Sequence, residues 1–247
     1  MALLVGAIAF ISEYLDSCLG MGYGTALAPI LILLGYNPLN VIPAILTSQL
    51  LTDITACFFH HNQRNVNLKI NSKDFKTALL LGILSALGVI ASVIIALRIP
   101  RWLLTLYIGM MATAIGLVIL FTANKTNKFS WNKIMGIGFI AAFNKGISGG
   151  GYGPLVMEGQ ILSGINSKNA VGITAFAEAI TCLIGSIFYL LMGKTIDRKL
   201  TGLLVASAVP AVPFAALTVK NMPARNLKKY VGIVIMALGL LTLLKIN

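Results

Sequence analysis

Lys145 stands inside an apolar stretch, beside the run Asn144-Lys145-Gly146-Ile147-Ser148-Gly149-Gly150-Gly151-Tyr152-Gly153-Pro154. An ionisable group in such a setting is costly and marks a functional site. Ser148, Tyr152 and Asn144 add hydroxyl and amide groups, and Gly150, Gly151 and Gly153 let another group approach the backbone closely. A second run, Gly20-Met21-Gly22-Tyr23-Gly24 followed by Thr25, holds the corresponding place in the first half. Two broken apolar segments at matching places in two halves are the sequence mark of a transporter binding site. A helix restarting after each break aims its positive dipole end and free N–H groups into the protein. Thr25 is expected to cap the first restart, and Gly153-Pro154 suits the second, because proline at the first helical position forfeits no needed hydrogen bond. With the charge of Lys145, this chemistry fits a small oxyanion. The competing reading is that the glycines only permit tight helix packing.

Five acidic residues, Glu13, Asp16, Asp53, Glu158 and Glu178, also lie in or against apolar segments. Glu178 is deepest. It is expected to carry a proton or to serve as the counter-charge of Lys145, unless the pair is a static one that fixes helix packing. Glu13 and Asp16 are three apart, on one helical face, and flank the first break. Asp53 and Glu158 are weaker candidates. Gln49 and Gln160 are read as interhelical hydrogen-bonding groups rather than ligand contacts.

The elements that must position these groups are membrane helices. The chain is 57% hydrophobic and 11% charged, with a mean hydropathy of +0.90. A soluble domain carries about 25% charged residues, and about 20 apolar residues cross a hydrocarbon core. An all-α polytopic membrane protein follows, with the lipid bilayer as its partner. The net charge of +12 does not imply nucleic acid, because the basic residues fall almost entirely in loops, where they set topology. Cys18, Cys57 and Cys182 have no metal-ligand spacing, so no metal, cofactor or disulfide framework is expected. Nor is a cleavable signal peptide, since the start lacks a basic region. Oligomeric state is not legible.

Apolar segments read as 2–18, 24–34, 39–59, 75–97 and 101–121, then 133–145, 152–163, 168–192, 200–219 and 225–245. A polar linker at 122–132 divides them. Gly35-Tyr36-Asn37 also returns in the second half as Gly164-Ile165-Asn166, at the same offset that relates the two glycine runs. Two homologous halves, 1–124 and 125–247, are therefore expected to form one transport domain. If each break makes a hairpin, each half crosses an odd number of times and the repeats are inverted. The hairpin places 12 lysines and arginines on one side and 6 on the other, against 11 and 7 for a chain passing straight through. The positive-inside rule favours the hairpin, with both termini outside.

At these residues the chain resembles the sulfite exporter TauE/SafE family, also called the 4-toluene sulfonate uptake permease family. That family has a glycine-rich motif near the start of each half, then a Pro-x-Leu-like stretch, then a Thr-Ser pair. Here the first copy is 20–25 with Pro29 and Leu31, then Thr47-Ser48. The second is 146–155, then Thr174-Ala175, which departs from the pair. The resemblance covers nearly the whole chain. It implies contacts at Thr47, Ser48 and Thr174, and transport of sulfite, sulfonates such as sulfoacetate, or a related sulfur anion across an inner membrane, driven by an ion gradient.

Two shorter substrings suggest rivals. Gly146-Ile147-Ser148-Gly149 looks like the serine motif of an intramembrane hydrolase, but that nucleophile needs a histidine base, and His60 and His61 are expected at the membrane surface. Gly22-Tyr23-Gly24 and Gly151-Tyr152-Gly153 look like a potassium filter, which takes four equivalent loops and a Thr-Val lead. Neither fits, and no enzyme is expected. An anion channel lined by the same donors is the alternative to a carrier.

Overall fold

The computed structural model describes residues 1–122, 131–221 and 225–245. The expected boundary at 124/125, with Lys125 and Lys128, lies outside them. The described residues form eleven helices: α1 Ala2–Leu19, α2 Tyr23–Leu33, α3 Pro38–Asn62, α4 Lys73–Arg98, α5 Arg101–Thr122, α6 Trp131–Ser148, α7 Tyr152–Leu162, α8 Ser167–Leu191, α9 Arg198–Ala208, α10 Ala211–Asn221 and α11 Arg225–Leu244. The segment expected at 200–219 is thus two helices. Pro210, which lacks an N–H and crowds the preceding turn, sits in the interruption, although 198–220 still reads as one span by length and hydropathy. Among the described residues, six helical stretches are long and apolar enough to cross a membrane. Large apolar side chains such as Ile54, Phe58, Leu87, Phe121, Ile140 and Phe214 face outward, as lipid-facing positions do.

Each half opens with a helix that breaks and turns back. The α1 helix ends on Gly20 in the left-handed conformation (φ 67), whose N–H bonds Asp16 O, and Gly22 (φ 138) precedes α2. Both φ values suit glycine and strain other residues. By Gly22 the chain has returned alongside α1, because a Cβ there would sit 3.8 Å from Ser12 O. Gly149 (φ 76) and Gly151 (φ 82) do the same before α7, and Gly151 lies back against Asn144. The next turn also recurs. Gly35 (φ 93) and Gly164 (φ 81) end α2 and α7, and Asn37 and Asn166 cap α3 and α8 by accepting from Leu39 N and Lys168 N.

Packing between the halves is reciprocal. Leu46 meets Gly185 and Gln49 meets Glu178, so α3 and α8 run antiparallel. Gly109 meets Gly239 and Gly116 meets Gly232, so α5 and α11 do too. The opening helix of each half lies parallel to the fourth span of the other. Gly6 packs on Ser207 and Cys18 on Ala215, while Gly138 packs on Leu81 and Gly146 on Ser92. In lipid, such small-residue contacts supply the dispersion that replaces a hydrophobic driving force between helices. One end of the bundle gathers Gln63, Lys168 and Lys220, with Lys168 Nζ donating to Lys220 O and Lys220 Nζ to Gln63 Oε1. At the other end, Lys245 Nζ donates to Leu33 O.

Candidate functional site

The two breaks meet back to back in the middle of the bundle. A Cβ on Gly24 would lie 1.9 Å from Gly149 O, and one on Gly153 would lie 2.6 Å from Gly20 O. The contacts are reciprocal, since Gly24 and Gly153 are counterparts in the two halves, and so are Gly20 and Gly149. Only glycine permits that approach. Gly150 also abuts the Gly24 backbone, and Gly151 N donates to Thr25 Oγ1 at 2.9 Å. Thr25 therefore does not cap its own helix. Gly22 occupies the N-cap of α2, and the Thr25 hydroxyl ties down the opposite break. Likewise α7 begins at Tyr152 behind Gly151, so Pro154 is its third residue rather than its first, still within the first turn. Ser148 closes its own turn, donating to Asn144 O at 2.6 Å and accepting from Gly150 N at 3.1 Å.

A polar cluster lies beside this crossing. Lys145 Nζ donates to Glu178 Oε1 at 2.7 Å, with side chains 1% and 3% exposed. It also donates to Gln49 Oε1. Gln49 Nε2 in turn donates to Glu178 Oε1 at 3.0 Å and to Asp16 Oδ2 at 3.3 Å. The other Asp16 oxygen accepts from Tyr23 N at 3.1 Å, at the positive end of α2. One oxygen each from Asp16, Asp53 and Glu178 lies within 4.8 Å of the others. Glu13 accepts from Ser17 Oγ at 2.7 Å. Four buried carboxylates thus accompany Lys145. The positive sign that sequence alone assigns to this site is corrected to an acid-rich one, because folding back α1 and packing α3 on α8 bring acids from the first half to a lysine of the second.

The other expected residues take separate places. Tyr23 Oη shares a hydrogen bond with Ser48 Oγ at 2.9 Å, and Tyr152 Oη does so with Ser85 Oγ at 3.0 Å. Both tyrosines are buried beside the breaks. The Asn144 side chain turns away to accept from Tyr107. Thr47 bonds Pro43 O and Ser186, and Thr174 accepts from Gln160 Nε2 at 2.8 Å, the interhelical role expected of Gln160. His60 is not at the surface. It is fully buried, its Nε2–H donates to Ser17 O, and its Nδ1 accepts from Asn65. Ser148 bonds backbone rather than histidine, so the pair a serine hydrolase requires is not formed.

Gln49 makes the interhelical hydrogen bonds expected of it and is the hub of the cluster, while Asp53, expected to be a weaker candidate, is a member of it. The common offset between the halves was the signal. It pairs Asp16 with Lys145, Gln49 with Glu178, and Asp53 with Cys182. At this common offset the two positions of each pair differ in charge, an acid facing a lysine, an amide a glutamate and an aspartate a cysteine.

The profile of the family described as sulfite exporter TauE/SafE matches residues 4–242. A search of curated proteins returned no match, and neither did a search of solved structures. Covering nearly the whole chain, both breaks and the polar cluster between them, the match makes this protein a member of the sulfite exporter TauE/SafE family.

Proposed function

We propose that this chain is a secondary transporter that moves a small sulfur oxyanion, sulfite or a sulfonate such as sulfoacetate, across the inner membrane by alternating access. The observation that carries this reading is the back-to-back meeting of two glycine-broken hairpins beside a buried lysine. Irregular backbone survives at membrane depth only where it is enclosed by protein or lines a cavity. In transporters such breaks sit at the substrate site, between the two repeats. Antiparallel α3 and α8, with antiparallel α5 and α11, support inverted repeats at 1–124 and 125–247. The positive-inside rule then turns the end bearing Gln63, Lys168 and Lys220 to the cytoplasm.

Within this reading Lys145 is the anion's charged partner, and Gly22, Gly24, Gly150, Gly151 and Gly153 let the backbone close around it. Lys145 is enclosed and committed to Glu178 and Gln49, so it must exchange partners to meet the anion. Exchange between enclosed states is the behaviour of a carrier. Coupling to a cation gradient, a proton gradient in the simplest case, falls to the carboxylates around it. Thermal unfolding of the purified protein against a panel of small anions tests the reading, because a ligand that binds only the folded state raises its stability. Sulfite or sulfonates are expected to raise the midpoint while chloride does not. An equal response to every anion rejects a selective site, and step-like currents in planar bilayers replace the carrier with a channel.

A further inference from the structure

We infer that Asp53, together with Asp16 and Glu178, forms the site of the coupling cation, a proton or a sodium ion, and that filling it releases Lys145 to the anion. This rests on the transport reading above and adds the ion's position and the sign of its coupling.

Each carboxylate of the group has a different compensation. Glu178 has the Lys145 ammonium at 2.7 Å. Asp16 has the Tyr23 amide and the Gln49 amide, at a helix start that carries about half a positive charge. Asp53 is 2% exposed, and its Oδ2 has no hydrogen-bond partner. Buried charges are retained only when paired, and of the three carboxylates Asp53 is the one left without a positive partner. That deficit calls for a monovalent cation. The three oxygens lie within 4.8 Å of one another, a spread that a cation with oxygen contacts near ~2.4 Å bridges and that a shared proton also serves. The titratable groups facing Asp53 are Glu13 and Asp16 on α1, Tyr23 on α2, Cys57 on its own helix, Lys145 on α6, and Glu178 and Cys182 on α8. Lys145 is the only cation among them. Glu13, one turn before Asp16, also has a buried carboxylate oxygen without a hydrogen-bond partner, Oε2.

Coupling follows from Gln49. Its carbonyl oxygen holds Lys145, and its amide nitrogen holds Asp16 and Glu178. An anion that draws Lys145 away strips Glu178 of its counter-charge. A cation among the carboxylates makes good that loss. Each ligand therefore favours the other, and the linkage is reciprocal. The sign is that of symport.

The test uses the full chain in detergent and sulfoacetate, whose sulfonate stays ionised across the range studied. Its affinity is measured by calorimetry against sodium at fixed pH, with choline as replacement, and against pH from 6 to 8 in choline alone. Wild-type affinity is expected to rise at least about tenfold, a typical coupling, with sodium or with acid. The responding arm names the ion. Asp53→Asn is expected to flatten that response, and Asp16→Asn, the second variant should the first not fold, to weaken it. A wild type flat in both arms overturns the inference, as does Asp53→Asn with an unaltered response. Thermal midpoints without sulfoacetate keep the two readings apart. If sulfoacetate never binds, but cation-dependent stability is present and lost in Asp53→Asn, the cation site stands and the anion reading falls.

Discussion

Lys145→Met separates a lysine that holds the bundle together from one that meets a substrate. In wild type the ammonium lies 2.7 Å from Glu178, with both side chains nearly inaccessible. Removing one partner of a buried pair costs about 3–5 kcal/mol. For a chain of this size that is a fall of roughly 6–20 °C in midpoint, at about 2–4 °C per kcal/mol. The structure predicts an asymmetry. Lys145→Met leaves four carboxylates without a cation, whereas Glu178→Gln leaves Lys145 with Gln49 and with Asp16 and Asp53 close by. Lys145→Met is therefore the more damaging. The double variant Lys145→Met/Glu178→Gln restores charge balance around Gln49 and is expected to recover at least half of the Lys145→Met loss. Denaturant or thermal unfolding in one detergent yields the cycle, and adjacent buried partners are expected to couple by about 0.5–3 kcal/mol. Sulfonate calorimetry on the same samples gives the second readout. Binding is expected to be lost in the single and the double variant alike. If stability losses simply add, the pair is not the unit described here. If the double variant regains binding along with stability, Lys145 is structural and the anion site lies elsewhere.

Three further outcomes are expected. Gly24→Ala would place a methyl 1.9 Å from Gly149 O, and Gly153→Ala one 2.6 Å from Gly20 O; each is expected to abolish proteoliposome uptake, while Gly202→Ala, with nothing within 4 Å of the added carbon, keeps uptake and gains up to about 1 kcal/mol. Glu178→Gln is expected to uncouple flux from the driving gradient, and gradient-driven uptake at the wild-type rate would refute its part in coupling. His60→Ala removes a donor to Ser17 O and an acceptor for Asn65; a loss of about 1–3 kcal/mol is expected, seen as faster amide exchange over 60–66, and unchanged protection there would show those bonds to be dispensable.

The membrane class and the glycine breaks were legible because each rests on local chemistry. Hydropathy marks helices that lipid tolerates. Glycine marks left-handed turns such as Gly20 and Gly149. Partner choice was harder to read. Thr25 is placed like a cap for α2, yet its hydroxyl is taken by Gly151 of the other half. Ser148 and Asn144 sit beside Lys145 in sequence, but the turn and α5 claim their polar atoms. Nothing local to Asp53 says that it joins Asp16 and Glu178.

Residue order alone specifies an all-helical membrane chain with two glycine breaks and a lysine within an apolar segment. Those properties follow from residue type and spacing, which act within a helix or a turn. Tertiary structure decided the rest. It crossed the two breaks at their glycine backbones and hung Lys145, Glu178 and Asp16 on one glutamine. Electrostatic energy depends on distance through space. More than half the chain's length separates Asp16 from Lys145 in sequence, and only folding makes them parts of one site.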